Sequence, residues 1–161
     1  LPRAAPTSET LAMTPITASS LPLTPWAARL GYAGLLPFVS LAAAAWLAPA
    51  VYRAHAAFAL LAYGATIASF LGAIHWGLAM RGPLAPRPGP LVWGVFPSLV
   101  AWLALLLPVS QGLFTIALLL VICLVVDRGS YPVYGLSDWL PMRWRLTGVA
   151  VLSLIAGSGA L

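Results

Sequence analysis

Five long apolar segments constrain the fold of this chain more than any other feature of its sequence. A helix needs about 20 mainly apolar residues to cross a bilayer whose hydrocarbon core is about 30 Å thick. One segment exceeds that length, two come close to it, and two are shorter. The sequence therefore predicts an all-α polytopic membrane protein with five transmembrane helices, at residues 30–47, 55–80, 91–107, 111–126 and 143–161.

Composition supports the same class. Hydrophobic residues make up 61% of the chain and charged residues 7%, with a mean hydropathy of +0.97. A soluble domain carries about 25% charged residues, so this inventory could not cover a water-exposed surface. The net charge of +5 comes from arginines that flank the apolar runs. We therefore expect them to meet lipid headgroups, and we expect no nucleic-acid partner.

The short connection between the third and fourth segments predicts a tight helical hairpin. Only residues 108–110 separate the two segments. Together the segments and their connection approach about 36 residues, which is far more than one span requires. Two antiparallel helices are therefore expected here, and not one long kinked helix.

The arginines predict an orientation. Because short cytoplasmic loops are enriched in Arg and Lys, the side with more of them is expected to face the cytoplasm, or the matrix in a mitochondrion. With five spans, the opposite side has only Arg53. The N-terminus is then inside and the C-terminus outside, in a bacterial inner membrane or alternatively a mitochondrial one. The seven arginines of the inner side are Arg3, Arg29, Arg81, Arg87, Arg128, Arg143 and Arg145.

The N-terminal region, residues 1–28, is rich in Pro, Thr, Ser and Ala. Its prolines are spread along the segment, and they would interrupt a helix. Such a composition is typical of a segment that does not bury a core of its own. We therefore expect a flexible tail that precedes the transmembrane domain at residues 29–161.

The second segment carries His75, the one ionisable side chain well inside an apolar run. Gly64, Ala68 and Gly72 follow one another at four-residue intervals, a spacing that lets helices approach closely. At about 100° per residue, His75 falls within about 20° of Gly64 and Ala68 on the helical wheel. This pattern predicts a helix-packing face of small residues and an imidazole directed into the bundle.

Other groups at a similar depth predict a structural polar layer around His75. Pro37 and Pro97 each remove one helical hydrogen bond and leave a carbonyl without its usual donor. Ser98 and Thr147 add hydroxyl groups on the same side. Ionisable groups inside spans are also candidates for function, so a proton relay and an axial ligand to a tetrapyrrole remain alternatives for His75.

A second cluster of charges is predicted at the cytoplasmic ends of the last two spans. Asp127 and Arg128 end the fourth span, and Arg143 and Arg145 begin the fifth. An ion pair between Asp127 and one of these arginines is the expected structure, with an anion-binding site made by the arginines as the alternative. The chain offers no paired acids, no metal-ligand cluster and no nucleophilic triad. We therefore expect no metal site and no enzymatic activity.

Four motifs resemble a known family. They are GYAGLLPF at residues 31–38, YGATIASFLGAIHWG at 63–77, FPSLVAW at 96–102 and RWRLT at 143–147. Together they are similar to the uncharacterised integral-membrane domain family that includes animal transmembrane protein 69. The resemblance covers about residues 29–161. It implies a small five-span inner-membrane protein of bacteria or mitochondria, without an established activity.

These observations lead to three hypotheses about function. The first is a non-enzymatic accessory or assembly subunit of a larger respiratory or photosynthetic inner-membrane complex, packed on other membrane subunits through small-residue helix faces. The second is a small transporter or channel in which His75 and the cytoplasmic-side Arg and Asp residues line a polar path. The third is a tetrapyrrole-binding protein with His75 as axial ligand, and no other cofactor is expected.

Overall fold

The computed structural model describes residues 22–81 and 88–161, and this part of the chain contains helices and no strand. Two short 3₁₀ helices, Tyr131–Tyr134 and Ser137–Trp139, connect the last two α-helices. The six α-helices are α1 (Pro25–Ala33), α2 (Leu35–Leu47), α3 (Ala50–Met80), α4 (Pro88–Leu105), α5 (Val109–Ser130) and α6 (Leu140–Ser158).

Four stretches of the described chain are long and apolar enough to cross a membrane, by length and composition. They are Pro25–Leu47, Ala50–Met80, Pro88–Leu105 and Val109–Tyr134. The all-helical membrane class predicted from the sequence is thereby confirmed. The fifth predicted span corresponds to α6, which has 19 residues and is not among the four. It nevertheless packs along α2 and α5.

The first helix begins earlier than the sequence predicts. It starts at Pro25, so residues 25–28 are helical and do not belong to a flexible tail. Thr24 caps the helix, because its Oγ1 accepts the Ala27 backbone N–H at 3.2 Å, and proline suits the first helical position. The rest of the predicted tail, up to residue 21, and also Arg3 and Arg87 lie outside the described residues.

The predicted span at residues 30–47 is divided into α1 and α2 by Gly34. Pro37 has no backbone N–H and its ring crowds the carbonyl four residues earlier, which breaks a helix at this point. The Gly34 carbonyl accepts the Tyr63 hydroxyl of α3 at 2.8 Å. On the N-terminal side of Gly34, α1 contacts α2 and α6. Pro97, by contrast, lies inside an uninterrupted α4.

The predicted hairpin of α4 and α5 is formed. Residues 106–108 connect the helices, and the Leu107 backbone N–H donates to the Ala104 carbonyl at 3.3 Å. A Cβ on Gly112 would lie 2.6 Å from that carbonyl oxygen. Only glycine therefore permits the two helices to approach this closely at the turn.

Helix α3 is central and contacts α2, α4, α5 and α6. Gly64, Ala68 and Gly72 are all buried, but they meet different helices. A Cβ on Gly64 would lie 2.9 Å from Ile116 Cγ2 of α5, whereas one on Gly72 would lie 2.5 Å from the Gly94 carbonyl oxygen of α4. This small-residue face is used inside the bundle. It is not the surface that a partner subunit would meet, contrary to the sequence-based expectation.

Most of the described arginines lie at one end of the bundle, because successive helices from α2 to α6 are antiparallel. There, the Trp76 indole of α3 donates to the Leu91 carbonyl of α4 at 2.8 Å. At the opposite end, the Trp46 indole of α2 donates to the Ala156 carbonyl of α6 at 2.8 Å. Arg53 lies at that opposite end, near the start of α3. Among the described arginines, the other five define what we call the arginine end: Arg29, Arg81, Arg128, Arg143 and Arg145.

Candidate functional site: a buried ion pair beside an apolar cleft

Asp127 and Arg143 form a buried ion pair between α5 and α6. Asp127 is 1% exposed and Arg143 is 7% exposed. The Arg143 guanidinium donates to Asp127 Oδ2 from Nε at 2.9 Å and from Nη2 at 2.5 Å. Such charge-assisted bonds are the stronger class of hydrogen bond in proteins. The structure thus places Arg143, of the three arginines considered from the sequence, against the carboxylate.

The other two arginines of the predicted cluster do not join this pair. Arg128 is exposed on α5. Arg145 is exposed on α6, where its Nη1 donates to the Tyr32 hydroxyl of α1 at 3.3 Å. Because the three guanidinium groups have different surroundings, they do not converge on one pocket for an anion.

His75 of α3 completes a buried polar cluster with the ion pair. It is 3% exposed, and its Nε2 lies 3.2 Å from Ser130 Oγ and 3.6 Å from Asp127 Oδ1. The Ser130 hydroxyl donates to the Val126 carbonyl at 3.0 Å, so towards the imidazole it acts as an acceptor. His75 Nε2–H is then the donor, and one cluster links α3, α5 and α6.

Neither imidazole nitrogen is open to a metal-centred cofactor. Nε2 faces Ser130 and Asp127, and Nδ1 faces the Leu71 carbonyl of its own helix at 3.4 Å. The Trp93 ring packs edge-on at 6.3 Å between ring centroids. This arrangement does not fit axial ligation of a tetrapyrrole by His75.

The predicted polar layer is only partly assembled around His75. Pro97 is buried against Gly72, as its Cδ would lie 3.2 Å from a Cβ there, and Ser98 is half-buried on the same helix. Pro37 is half-buried on α2, and its carbonyl accepts the Ser40 hydroxyl at 3.4 Å. The polar side chains nearest the imidazole, Ser130 and Asp127, come from α5 instead. Helix periodicity could have predicted that Ser130 and Asp127 lie together, because positions three residues apart share one face of a helix.

An apolar cleft adjoins the ion pair at the arginine end. It has a volume of about 380 Å³ and lies between α1, α3 and α6. Apolar side chains such as Leu30, Phe70 and Ile74 form most of its wall. Three polar residues also contribute to the wall: Tyr131, Arg143 and Thr147. We call this space the α1–α3 cleft.

Comparisons with known proteins agree with the motifs. The family described as "Protein of unknown function (DUF3429)" matches residues 23–158. Transmembrane protein 69 of Xenopus tropicalis is 40% identical over 130 residues, which cover 78% of this chain and 51% of that protein. The chain therefore spans about half the length of this relative. No solved structure matches. Because the family match runs through every helix described above, the chain belongs to this family of membrane proteins, as its sequence motifs predict.

Proposed function

We propose that the chain is a non-enzymatic accessory or assembly subunit of a larger inner-membrane complex, in which the buried cluster holds α3, α5 and α6 in register. The observation that supports this role is that the polar groups of the cluster bond to one another. Asp127 is bonded to Arg143, and every fully enclosed side-chain nitrogen and oxygen in the described residues has a hydrogen-bond partner. A site of this kind stabilises an arrangement of helices and leaves no reactive group free.

The core beyond the cluster favours this structural role over a transport path. Large apolar side chains of α3 and α5 fill the bundle there, with Leu61, Leu113 and Ile116 fully buried. The α1–α3 cleft is apolar along most of its wall. A water-filled path past the middle of the membrane would require polar side chains in this region.

We further propose that α6 is a fifth span. Its 19 residues reach about 28 Å at 1.5 Å per residue, close to the hydrocarbon thickness. The Trp46–Ala156 bond and the Asp127–Arg143 pair attach it to its neighbours near both ends. Pairing of Arg143 with a carboxylate reduces the cost of placing that charge in the bilayer. With the arginine end in the cytoplasm, or in the matrix, the C-terminus lies on the other side.

Cysteine labelling tests this topology. In a Cys123→Ala background, Ser137→Cys is expected to react with a membrane-impermeant maleimide only from the cytoplasmic side of oriented membranes. Gly159→Cys is expected to react only from the opposite side, because both residues are exposed and lie at opposite ends of α6. Labelling of both positions from the same side would contradict the five-span proposal.

The outer face of α4 is the surface we propose for the partner. Helix α4 packs mainly on α3 and α5, so it lies at the edge of the bundle. Exposed apolar side chains recur on it at intervals of three and four residues, a spacing typical of helix–helix contact. They are Val92, Val95, Phe96, Leu99, Trp102 and Leu103.

Migration in a native gel tests the subunit role. The native chain, purified in mild detergent, is expected to migrate with an assembly much larger than its own 16.8 kDa. Leu99→Ala combined with Trp102→Ala is expected to release it, because these truncations remove the apolar contacts of the outer face. Leu118→Ala combined with Val125→Ala, at exposed positions of α5, is the matched control. A monodisperse monomer of the unsubstituted chain would contradict the proposal.

A further inference from the structure

The α1–α3 cleft lies beside the point at which Gly34 separates α1 from α2. At Gly34 the chain is held to α3, because the Tyr63 hydroxyl donates to the Gly34 carbonyl. On the N-terminal side of Gly34, α1 contacts α6, where a Cβ on Gly31 would lie 3.3 Å from Met142 Sδ. The residues that the structure describes leave the space between α1 and α3 unfilled, and the exposed side chains Leu30 and Phe70 line it.

The cleft has an unpartnered polar group in its wall. Thr147 is 5% exposed and lines the cleft, yet its hydroxyl makes no hydrogen bond with any described residue. Arg143, one helical turn earlier, lines the same wall and contacts Tyr131. Because every fully enclosed side-chain oxygen of the described residues has a partner, this hydroxyl is open to the cleft, where a group bound in the cleft can form a hydrogen bond with it. The Thr147 hydroxyl can donate or accept a hydrogen bond, whereas the Arg143 guanidinium only donates, so an acceptor is the group that suits both side chains.

We propose that the α1–α3 cleft binds one anionic phospholipid of the surrounding bilayer. One acyl chain lies along the apolar wall, and its ester carbonyl accepts a hydrogen bond from Thr147 beside Arg143. The phosphate group lies towards the arginine end. A cavity of about 380 Å³ with an apolar wall and a few convergent polar groups is typical of a small-molecule site. This inference is independent of the proposed subunit role.

Charge favours an anionic headgroup over a zwitterionic one. Asp127 and Arg143 compensate each other, so the wall of the cleft carries no net charge from the pair. Arg29, Arg128 and Arg145 do not line the cleft but are exposed at the same end of the bundle, and Asp138 is the exposed carboxylate of the described residues there. Arginines near a membrane surface each attract anionic lipid by about 1 kcal/mol.

Photolabelling in nanodiscs tests this site. The full chain is placed in phosphatidylcholine nanodiscs with a minor fraction of a phosphatidylglycerol or phosphatidylcholine probe that carries a diazirine in one acyl chain, and the labelled residues are mapped by mass spectrometry. The phosphatidylglycerol probe is expected to label Phe70 and Ile74 about fivefold more than the phosphatidylcholine probe, the ratio for about 1 kcal/mol. Labelling of Leu118, an exposed residue of α5 outside the cleft, is expected to be equal for both.

Variants identify the contacts. Thr147→Val is expected to reduce labelling of the cleft about threefold, the ratio for one hydrogen bond of about 0.6 kcal/mol in a membrane, and Thr147→Ser is expected to retain it. Ala27→Trp fills the cleft and is expected to reduce labelling to the level at Leu118. Ala28→Trp, at a half-buried position outside the cleft, is the matched control. Equal labelling of the cleft by both probes, or labelling that Ala27→Trp leaves unchanged, would overturn the proposal.

Discussion

Replacement of Arg143 by leucine is expected to lower the free energy of unfolding by about 3–5 kcal/mol, because it leaves Asp127 charged and unpaired inside the bundle. Asp127 is 1% exposed, so water cannot replace the lost guanidinium. His75 is a poor substitute, since its Nε2 lies 3.6 Å from Oδ1 and 3.2 Å from the Ser130 hydroxyl. Unfolding by SDS in mixed micelles, followed by tryptophan fluorescence, measures the change.

A double variant separates the charge from the packing. Asp127→Val combined with Arg143→Leu is expected to recover most of the stability lost in Arg143→Leu, because an apolar replacement of both members of a buried pair is often neutral or stabilising. Arg145→Leu, an exposed position on the same helix, is expected to change stability by at most about 0.5 kcal/mol. If Arg145→Leu destabilised the chain as much as Arg143→Leu does, the ion pair would not be the stabilising contact.

Alanine at Gly72 is expected to lower the free energy of unfolding by about 1–3 kcal/mol, because it overpacks the contact between α3 and α4. The added Cβ would lie 2.5 Å from the Gly94 carbonyl oxygen and 3.2 Å from two ring atoms of Pro97. Backbone and proline ring cannot rotate away as a flexible side chain would. The two helices must therefore move apart, which also weakens the neighbouring contacts. The same SDS titration measures the loss.

Gly77 provides the matched control on the same helix. A Cβ at this position meets nothing within 4 Å. Gly77→Ala is therefore expected to stabilise the chain by up to about 1 kcal/mol, through helix propensity alone. Equal effects of the two alanine substitutions would show that the close approach of α3 and α4 is not what requires glycine at position 72.

The helices, the hairpin of α4 and α5, and a pairing for Asp127 were predictable from sequence because each depends on nearby residues. Hydropathy over about 20 residues identifies segments that prefer the bilayer. A connection of three residues leaves antiparallel packing as the only arrangement for two long apolar segments. The pairing of Asp127 followed because Arg143 begins the next helix after a short connection.

The cleft and the contacts of each small residue were not predictable in this way. Gly64 and Gly72 have the same local pattern, yet one meets α5 and α6 and the other meets α4, because α3 is central and has neighbours on several sides. Pro37 indicated a lost hydrogen bond. The position of α1, however, depends on its contacts with α6, which are distant in sequence. Contacts between residues distant in sequence therefore determine both which helix each glycine meets and where α1 lies.

The spacing of the buried charges along the chain has a consequence for biosynthesis. Arg143 follows Asp127 by 16 residues, so a ribosome that adds about 5–20 residues per second makes the cation about one to three seconds after the anion. During this interval, the nascent carboxylate has no counter-ion from the last helix. His75 has been translated long before, and we expect it to be the first group to hold Asp127 as the last helix arrives.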